Sequence, residues 1–157
     1  MSHVSRRSWM QLFTALGAGT CLCGGSGGCA TFTKKGSTPE LAQEAYTLDE
    51  KAVRIVLSQV PELTVIGGAV KITNPALKRP IIVVCSEKSC YHAASLLCPH
   101  RGVEVEYQPG QKRFRCASLG HSTFGLSGAK QSGFAKQGLH PYTVKVEADG
   151  VLVIALA

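Results

Sequence analysis

Two pairs of metal-binding side chains lie within one short stretch, residues 96–124. Cys98 and His100 have a single residue between them. Cys116 follows sixteen residues after His100, and His121 follows five residues after Cys116. Thiolate sulfur and imidazole nitrogen are donors that zinc ions and iron–sulfur clusters take from proteins. The stretch therefore predicts a metal centre that is held by two loops.

The segment between the two pairs predicts a hairpin that brings them together. The strand-like stretches "VEVEY" and "KRFRC" flank the turn signal "QPGQ", residues 108–111. A turn centred between Pro109 and Gly110 would place Cys98 opposite His121. Both Cys/His pairs would then lie at the same end of the hairpin.

The spacing of the first pair favours a two-iron cluster over a single ion. Structural zinc sites usually leave two or more residues between paired ligands. With one residue between them, Cys98 and His100 reach a single tetrahedral ion only under strain. A two-iron centre, to which each loop gives one ligand for each iron, has no such conflict.

The motifs resemble those of the Rieske [2Fe–2S] family, whose pattern is Cys-X-His followed at a distance by Cys-X-X-His. "CPHRG" corresponds to the first half, "RFRC" with the downstream "STF" and "SG" to the surroundings of the second, and the resemblance extends over residues 50–157. It is nearest to the exported Rieske subunits of quinol-oxidising cytochrome bc complexes and of arsenite-oxidase-like enzymes. It implies an all-β fold, a small antiparallel β-sandwich with a cluster-binding hairpin subdomain.

By this resemblance, Cys98 and Cys116 would bind the buried iron, and His100 and His121 the outer iron. The second loop departs from the family pattern, because four residues instead of two separate Cys116 from His121. The usual histidine position holds Leu119, which cannot ligate. Either the longer loop bends to present His121, or the cluster is altered or lost.

Other departures concern the surroundings of the cluster. The disulfide that usually joins the two loops in the Rieske subunits of cytochrome complexes is missing, since its positions hold Val103 and Ser118 or Leu119. Phe124 stands where high-potential members have a tyrosine hydroxyl, so Ser122 or Thr123 would have to donate to a ligand sulfur instead. Fewer hydrogen bonds to sulfur lower the reduction potential. We expect a potential below that of the high-potential quinol-oxidising type.

The rest of the chain predicts short strands separated by turns, over a domain at residues 48–157. "TVIGGAVKI" predicts a hairpin around Gly67-Gly68, because paired glycines supply the positive φ of a tight turn. "IIVVC" and "CYHAAS" predict a second hairpin with Cys85 and Cys90 at its mouth. These two residues either form a cross-strand disulfide or remain free thiols.

The N-terminal residues differ in character from the rest. Residues 1–30 contain paired arginines in "SRRSWMQ", then an apolar run rich in Gly and Ala, which is typical of a twin-arginine export signal or of a short anchor. Cys29 in "GGCATF" resembles the lipid-accepting cysteine of a bacterial lipoprotein. Residues 31–47 are rich in Lys, Thr, Ser, Gly and Pro and predict a flexible linker. The expected location is the periplasmic side of the cytoplasmic membrane.

Charge and motifs exclude several classes of function. The formal net charge is +7, but four of the basic residues lie before residue 36. The remaining excess is too small, and aromatic residues too few, to indicate nucleic-acid binding. No general acid–base pair, nucleophile triad or phosphate-binding loop is evident.

The expected function is that of an exported one-electron carrier with a [2Fe–2S] cluster. It would be a subunit or partner of a respiratory or periplasmic oxidoreductase, rather than a stand-alone catalyst. Its partner would be a cytochrome or another redox subunit, and quinol is a further candidate. Two alternatives stay open: a ferredoxin-type donor to an oxygenase, and a zinc-binding or cluster-free structural module.

Overall fold

The computed structural model describes residues 35–156, which form three four-stranded antiparallel sheets. The described residues also contain one short helix, α1 (Pro61–Thr64), and 3-10 turns at Gln43–Ala45, Leu57–Gln59 and Pro109–Gln111. The predicted all-β fold is confirmed. The strands are β1 (Tyr46–Leu48), β2 (Ala52–Val56), β3 (Ala69–Ile72), β4 (Ile81–Glu87), β5 (Cys90–Ser95), β6 (Val105–Gln108), β7 (Arg113–Cys116), β8 (Thr123–Gly125), β9 (Lys130–Ser132), β10 (Pro141–Tyr142), β11 (Val144–Val146) and β12 (Val151–Ala155).

The three sheets pack around two hydrophobic clusters. The outer sheet has the order β1-β2-β12-β11, the central sheet β10-β5-β4-β3, and the loop-bearing sheet β6-β7-β8-β9. Ile81 and Val83 of β4 belong to the cluster shared with the outer sheet. Ile82 and Val84 belong to the cluster shared with the loop-bearing sheet. The central sheet is therefore buried on both faces.

Burial on both faces explains the uninterrupted apolar run in β4. Successive side chains of a strand point to opposite faces, so a strand with one solvated face alternates between apolar and polar residues. In β4 all six residues from Ile81 to Ser86 are buried. The sequence "IIVVC" reads as a continuous apolar stretch because neither face of the strand contacts water.

The hairpin predicted around Gly67-Gly68 is wrong. The predicted first strand, residues 64–66, does not form, and Pro61–Thr64 form helix α1, with Pro61 in the first turn, where its missing N–H costs nothing. Gly67 does have a positive φ, +91°, but it connects the helix to β3. Gly68 lies so close to the helix that a Cβ there would be 1.6 Å from the carbonyl oxygen of Glu62. The glycine pair thus allows close packing of the helix rather than a two-residue turn.

The hairpin of β6 and β7 is confirmed, but its register differs from the prediction. The connecting loop spans residues 109–112, because Lys112 adopts a left-handed conformation (φ +46°) after the 3-10 turn. Val105 consequently pairs with Cys116, two residues away from the predicted alignment. A strand repeats every two residues, so this shift leaves each side chain on its predicted face.

Part of the predicted linker contacts the domain. Leu41 donates its N–H to the carbonyl of Lys71, and Lys71 donates to the carbonyl of Pro39, both at 2.8 Å. Further along, Tyr46–Leu48 forms the edge strand β1 of the outer sheet. The contacts fasten residues 39–48 to the central and outer sheets.

The predicted export signal, with Cys29, lies outside the described residues. Within residues 35–156, no helix has the length and apolar character that crossing a membrane requires.

Replacing Gly68 with alanine should destabilise the domain by about 3 kcal/mol, because the added methyl would overlap the Glu62 carbonyl and displace α1. Gly110→Ala is the matched control, since a Cβ there meets no atom within 4 Å. Urea unfolding of the full chain measures both free energies of unfolding. Equal stability of the two variants would contradict the packing described for α1.

Candidate metal centre

The first loop, residues 96–104, connects β5 to β6 and holds Cys98 at its inner side. The N–H of Cys98 donates to the carbonyl of Val103 at 2.8 Å, and the N–H of Gly102 donates to the carbonyl of Cys98 at 2.9 Å. Gly102 has a positive φ of +66°, which closes the turn. The loop therefore directs Cys98 into the core and leaves His100 near its tip.

The second loop, residues 117–122, follows Cys116 at the end of β7 and contains a tight turn between the two predicted ligands. The N–H of Cys116 donates to the carbonyl of Ser122 at 2.8 Å, and the N–H of His121 donates to the carbonyl of Ser118 at 3.1 Å. Leu119, at the tip of this turn, is 96% exposed. The two additional residues of the second motif thus form an outward turn.

One buried glutamate fastens the two loops to each other and to the central sheet. The carbonyl of Glu104, at the end of the first loop, accepts the N–H of Ala117 in the second loop at 3.0 Å. The Glu104 carboxylate accepts from Lys71 Nζ at 2.9 Å and from the N–H of Gly36 at 2.7 Å. Both charged side chains are almost fully buried. Burial of a charge is tolerated only with such pairing.

Cys98 and Cys116 are neighbouring free thiols in the cluster of buried residues under the loops. Each is 1% exposed. The pKa of the Cys98 thiol is raised to about 11, mainly by burial and also by the adjacent Cys116 thiol. The backbone N–H of His100 and the hydroxyl of Ser122 oppose this rise. The predicted sulfur donors therefore meet at one buried point, with hydrogen-bond donors around them.

Two serine hydroxyls lie beside the sulfur atoms. Ser118 Oγ is 3.2 Å from Cys116 Sγ. Ser122 Oγ accepts the N–H of Ala135 at 2.9 Å, which leaves its own proton for the sulfur of Cys98. The other predicted donor, Thr123, pairs instead with the hydroxyl of Ser132 at 2.7 Å. Of the two residues that the sequence proposed as donors, the structure places Ser122 at a sulfur.

His100 carries a buried nitrogen without a partner. Its Nδ1 atom is the only buried side-chain nitrogen or oxygen in residues 35–156 that lacks a hydrogen bond. Leaving such an atom unpaired costs about 1–3 kcal/mol. A metal ion bound at Nδ1 would remove this cost. The donor set of two buried thiols and one unpaired imidazole nitrogen therefore fits an iron–sulfur cluster.

His121 is exposed and is not brought to the other three predicted ligands. Its backbone is left-handed, with φ +38°, a conformation that favours glycine. Within residues 35–156, no three His, Cys, Asp or Glu side chains are close enough together to hold a metal ion. Ligation by His121 stays a prediction, and it requires a change of the second loop.

Sequence reasoning missed Phe134, which lies between the two loops. Its ring stacks on the His100 ring at 6.2 Å between centroids. On the other side, a Cβ at Gly120 would be 2.7 Å from Phe134 Cδ2. Phe134 belongs to the covering segment "SGFAKQG", residues 132–138, which passes over Ser122. The sequence around Phe134, a Gly-Phe pair in an irregular segment, carries no signal for this role.

Cys85 and Cys90 are free thiols in the structure. The regular register of β4 and β5 places Cys85 opposite Tyr91, and because a β-bulge follows Cys85 it is Glu87 that pairs with Cys90. The Cys90 Sγ atom lies 3.6 Å from Nε2 of His92. Of the two predicted alternatives, a cross-strand disulfide or free thiols, the structure agrees with free thiols.

Comparison with known proteins identifies the fold. No family model matches the sequence, and no curated protein matches it. Among solved structures, the plasma membrane Rieske protein PetC3 from Synechocystis PCC 6803 is 25% identical, with a TM-score of 0.48 over 57% of this chain and 87% of that one. The quaternary ammonium Rieske monooxygenase CntA is 21% identical, with a TM-score of 0.47 over 61% of this chain and 29% of that one.

A third solved structure is more similar in shape. The ferredoxin of carbazole 1,9a-dioxygenase from Nocardioides aromaticivorans IC177 is 18% identical, with a TM-score of 0.53 over 65% of this chain and 93% of that one. The chain has a Rieske-type fold. In this chain the Rieske-type fold places the two loops at one end of the loop-bearing sheet, next to the covering segment. The fold predicted from the two motifs is thus confirmed.

The burial of the thiols predicts their order of reaction in cluster-free protein. Iodoacetamide should modify the half-buried Cys90 at least about tenfold faster than Cys85, Cys98 or Cys116 at pH 8, because it attacks accessible thiolates and Cys98 has a raised pKa. Peptide mass spectrometry measures each residue separately. Unfolding in urea should remove the differences. Rapid labelling of Cys98 and Cys116 in the folded chain would contradict their placement in the core.

Proposed function

We propose that this chain is an exported one-electron carrier that binds a [2Fe–2S] cluster through Cys98, His100, Cys116 and His121. One observation supports this most directly. Two adjacent buried thiols lie in the loops at the end of a Rieske-type fold, and His100, two residues after Cys98, has a buried and unpaired Nδ1. Neighbouring thiols and an unpaired nitrogen have little structural value in a core, whereas they are the donors that an iron–sulfur cluster uses.

The cluster would supply one-electron chemistry, at about −150 to +300 mV when two imidazoles replace two of the four thiolates. Cys98 and Cys116 would hold the iron nearer the core. His100 and His121 would hold the iron nearer the solvent, and His100 lies close to the surface at the tip of its loop. The residues around the thiols set the polarity of the site and exclude water from the sulfur atoms.

The second loop would have to present His121 for this ligand set to be complete. The left-handed backbone of His121 costs a non-glycine residue about 1–2 kcal/mol, so a rearrangement to another conformation recovers that energy. Gly120 precedes His121 and has no side chain to hinder the change. One contact must adjust, because Phe134 lies against Gly120.

Export and partners are inferred from the N-terminal residues. The twin-arginine pattern in "SRRSWMQ" is an address for the transport of folded proteins, which suits a cofactor that is inserted before export. We place the protein on the periplasmic side of the cytoplasmic membrane, attached through the N-terminal segment or a lipid on Cys29. Its partner would be a cytochrome or another redox subunit of a respiratory or periplasmic oxidoreductase, and quinol is a further candidate donor.

A ferredoxin role is the second candidate. It has support from the similarity in fold to the ferredoxin of carbazole 1,9a-dioxygenase, although that similarity concerns the fold alone. The N-terminal residues favour the exported carrier, because a cytosolic donor needs no signal. Recovery of the protein from the cytosol with residues 1–30 retained would favour the ferredoxin role.

The visible spectrum of the purified full chain separates the iron–sulfur carrier from a zinc-binding module. A [2Fe–2S] protein is coloured, bleaches on reduction and shows an EPR signal in the reduced state, whereas a zinc site is colourless. About two iron atoms per chain are expected. Zinc at one atom per chain, or neither metal after cluster reconstitution, would contradict the proposal.

Replacing His121 with alanine should abolish the EPR signal of the reduced protein and lower the bound iron to below about a quarter of the wild-type level, because one ligand is lost. His140→Ala is the control, since His140 packs against Tyr142 and lies outside the four proposed ligands. Its spectrum should equal that of the wild type. An unchanged signal in the His121 variant would remove this residue from the ligand set.

Replacing Ser122 with alanine should lower the reduction potential by roughly 45 mV. The reason is that a hydrogen bond to sulfur favours the reduced form, and a bond worth about 1 kcal/mol corresponds to that shift for one electron. Thr123→Val is the control, because that hydroxyl pairs with Ser132 and not with a ligand. Redox titration followed by EPR measures both. A Ser122 variant with the wild-type potential would show that its hydroxyl does not act on the sulfur.

A further inference from the structure

The surface around His100 has an apolar centre. Leu97, Leu119 and Phe134 are exposed, Phe134 to 72%. Phe134 contacts His100 and approaches Gly120, the neighbour of Leu119. Large apolar side chains that are exposed together, rather than singly, mark interaction sites on soluble proteins.

Basic residues surround this apolar centre. Two adjoining clefts share Pro99 and Gln137, and between them these clefts also contain Lys136, Lys78 and Arg79. A fourth basic residue, Arg101, is exposed directly after His100. We call the set of these seven residues the docking surface: Leu97, Leu119 and Phe134 at the centre, with Lys78, Arg79, Arg101 and Lys136 as the rim.

Within residues 35–156, none of the four rim residues forms an ion pair, and the two clefts beside His100 contain no acidic residue. Residues 107–146, which include the second loop and the covering segment, contain six Lys or Arg and no Asp or Glu. Asp49 and Glu50 share a separate cleft with Lys78 and Arg79. The carboxylate of Glu104 is buried and paired with Lys71.

We infer that the docking surface binds an acidic redox protein. The inference rests on the proposed function, because an electron carrier must bring its partner close to His100. A partner with a negative rim and an apolar centre would match this surface in both charge and hydrophobicity. Apolar anchors at the centre of an interface supply most of the affinity, while charges at its edge speed association and make it depend on salt.

The test compares two acceptors of opposite charge. Plastocyanin, a small acidic copper protein, and mitochondrial cytochrome c, a small basic haem protein, are mixed in turn with the reduced full chain in a stopped-flow instrument. Between low and high ionic strength, the rate with plastocyanin should fall at least about tenfold, because salt screens attraction between exposed charges. The rate with cytochrome c should stay constant or rise.

Charge-reversal variants locate the effect. Arg101→Glu and Lys136→Glu should each lower the low-salt rate with plastocyanin about fivefold or more. Lys145→Glu is the matched control, because it makes the same change of net charge on β11 of the outer sheet. Equal losses in the rim variants and the control would show a general effect of net charge and overturn the docking surface.

A binding measurement that needs no cluster separates this inference from the proposed function. Surface plasmon resonance measures the affinity of cluster-free and cluster-loaded chain for immobilised plastocyanin and for anionic lipid vesicles. Salt-sensitive binding of plastocyanin by the cluster-free chain, lost in Lys136→Glu and Phe134→Ser, supports the docking surface even if no cluster forms. A loaded chain with a normal EPR signal that binds only the vesicles, or neither probe, would overturn it and leave the proposed function standing.

Discussion

The ion pair between Lys71 and Glu104 connects the central sheet to both loops of the candidate site. Lys71 belongs to the central sheet, and Glu104 ends the first loop. The Glu104 carbonyl binds the second loop at Ala117, and its carboxylate binds Gly36 before β1. Removing one partner of a buried pair costs about 3–5 kcal/mol, because the other charge is left without compensation. Loop position and domain stability therefore depend on the same contact.

The proposed metal centre is part of a hydrophobic core and not an addition to it. Cys98 and Cys116 belong to the same cluster of buried residues as Ile82 and Val84 of the central sheet. A strand that is buried on both faces supplies a rigid layer on which the two loops rest. Because the thiols are held by packing and by backbone hydrogen bonds, the loops keep their arrangement without a disulfide between them. His100 and His121 do not belong to this cluster of buried residues. Packing therefore restrains them less than it restrains the two cysteines.

Local patterns predicted the elements well, while long-range contacts escaped them. The β6–β7 hairpin was predicted from alternating residues and a Pro-Gly turn, and its error of two residues did not change which side chains face the core. Gly67-Gly68 was misread because a glycine pair signals close packing as well as tight turns, and only the neighbouring helix decides between them.

The sequence identified Cys98, His100 and Cys116 from their types and spacing. It could not place His121, since the path of a longer loop depends on Phe134, eighteen residues from Cys116 along the chain. Lys71 and Glu104 gave no signal beyond opposite charges on two strand-like segments.

The attachment of Gly36 and Ser37 has a mechanical consequence. The N–H of Gly36 donates to the carboxylate of Glu104, which directly precedes β6, and the N–H of Ser37 donates to the carboxylate of Glu106 within β6. Any tension applied to the chain before Gly36 would reach these two carboxylates before it reached β1. Glu104 would transmit this tension to the second loop, because its carbonyl accepts the N–H of Ala117. The position of the loop next to Cys116 would therefore respond to force on the preceding chain.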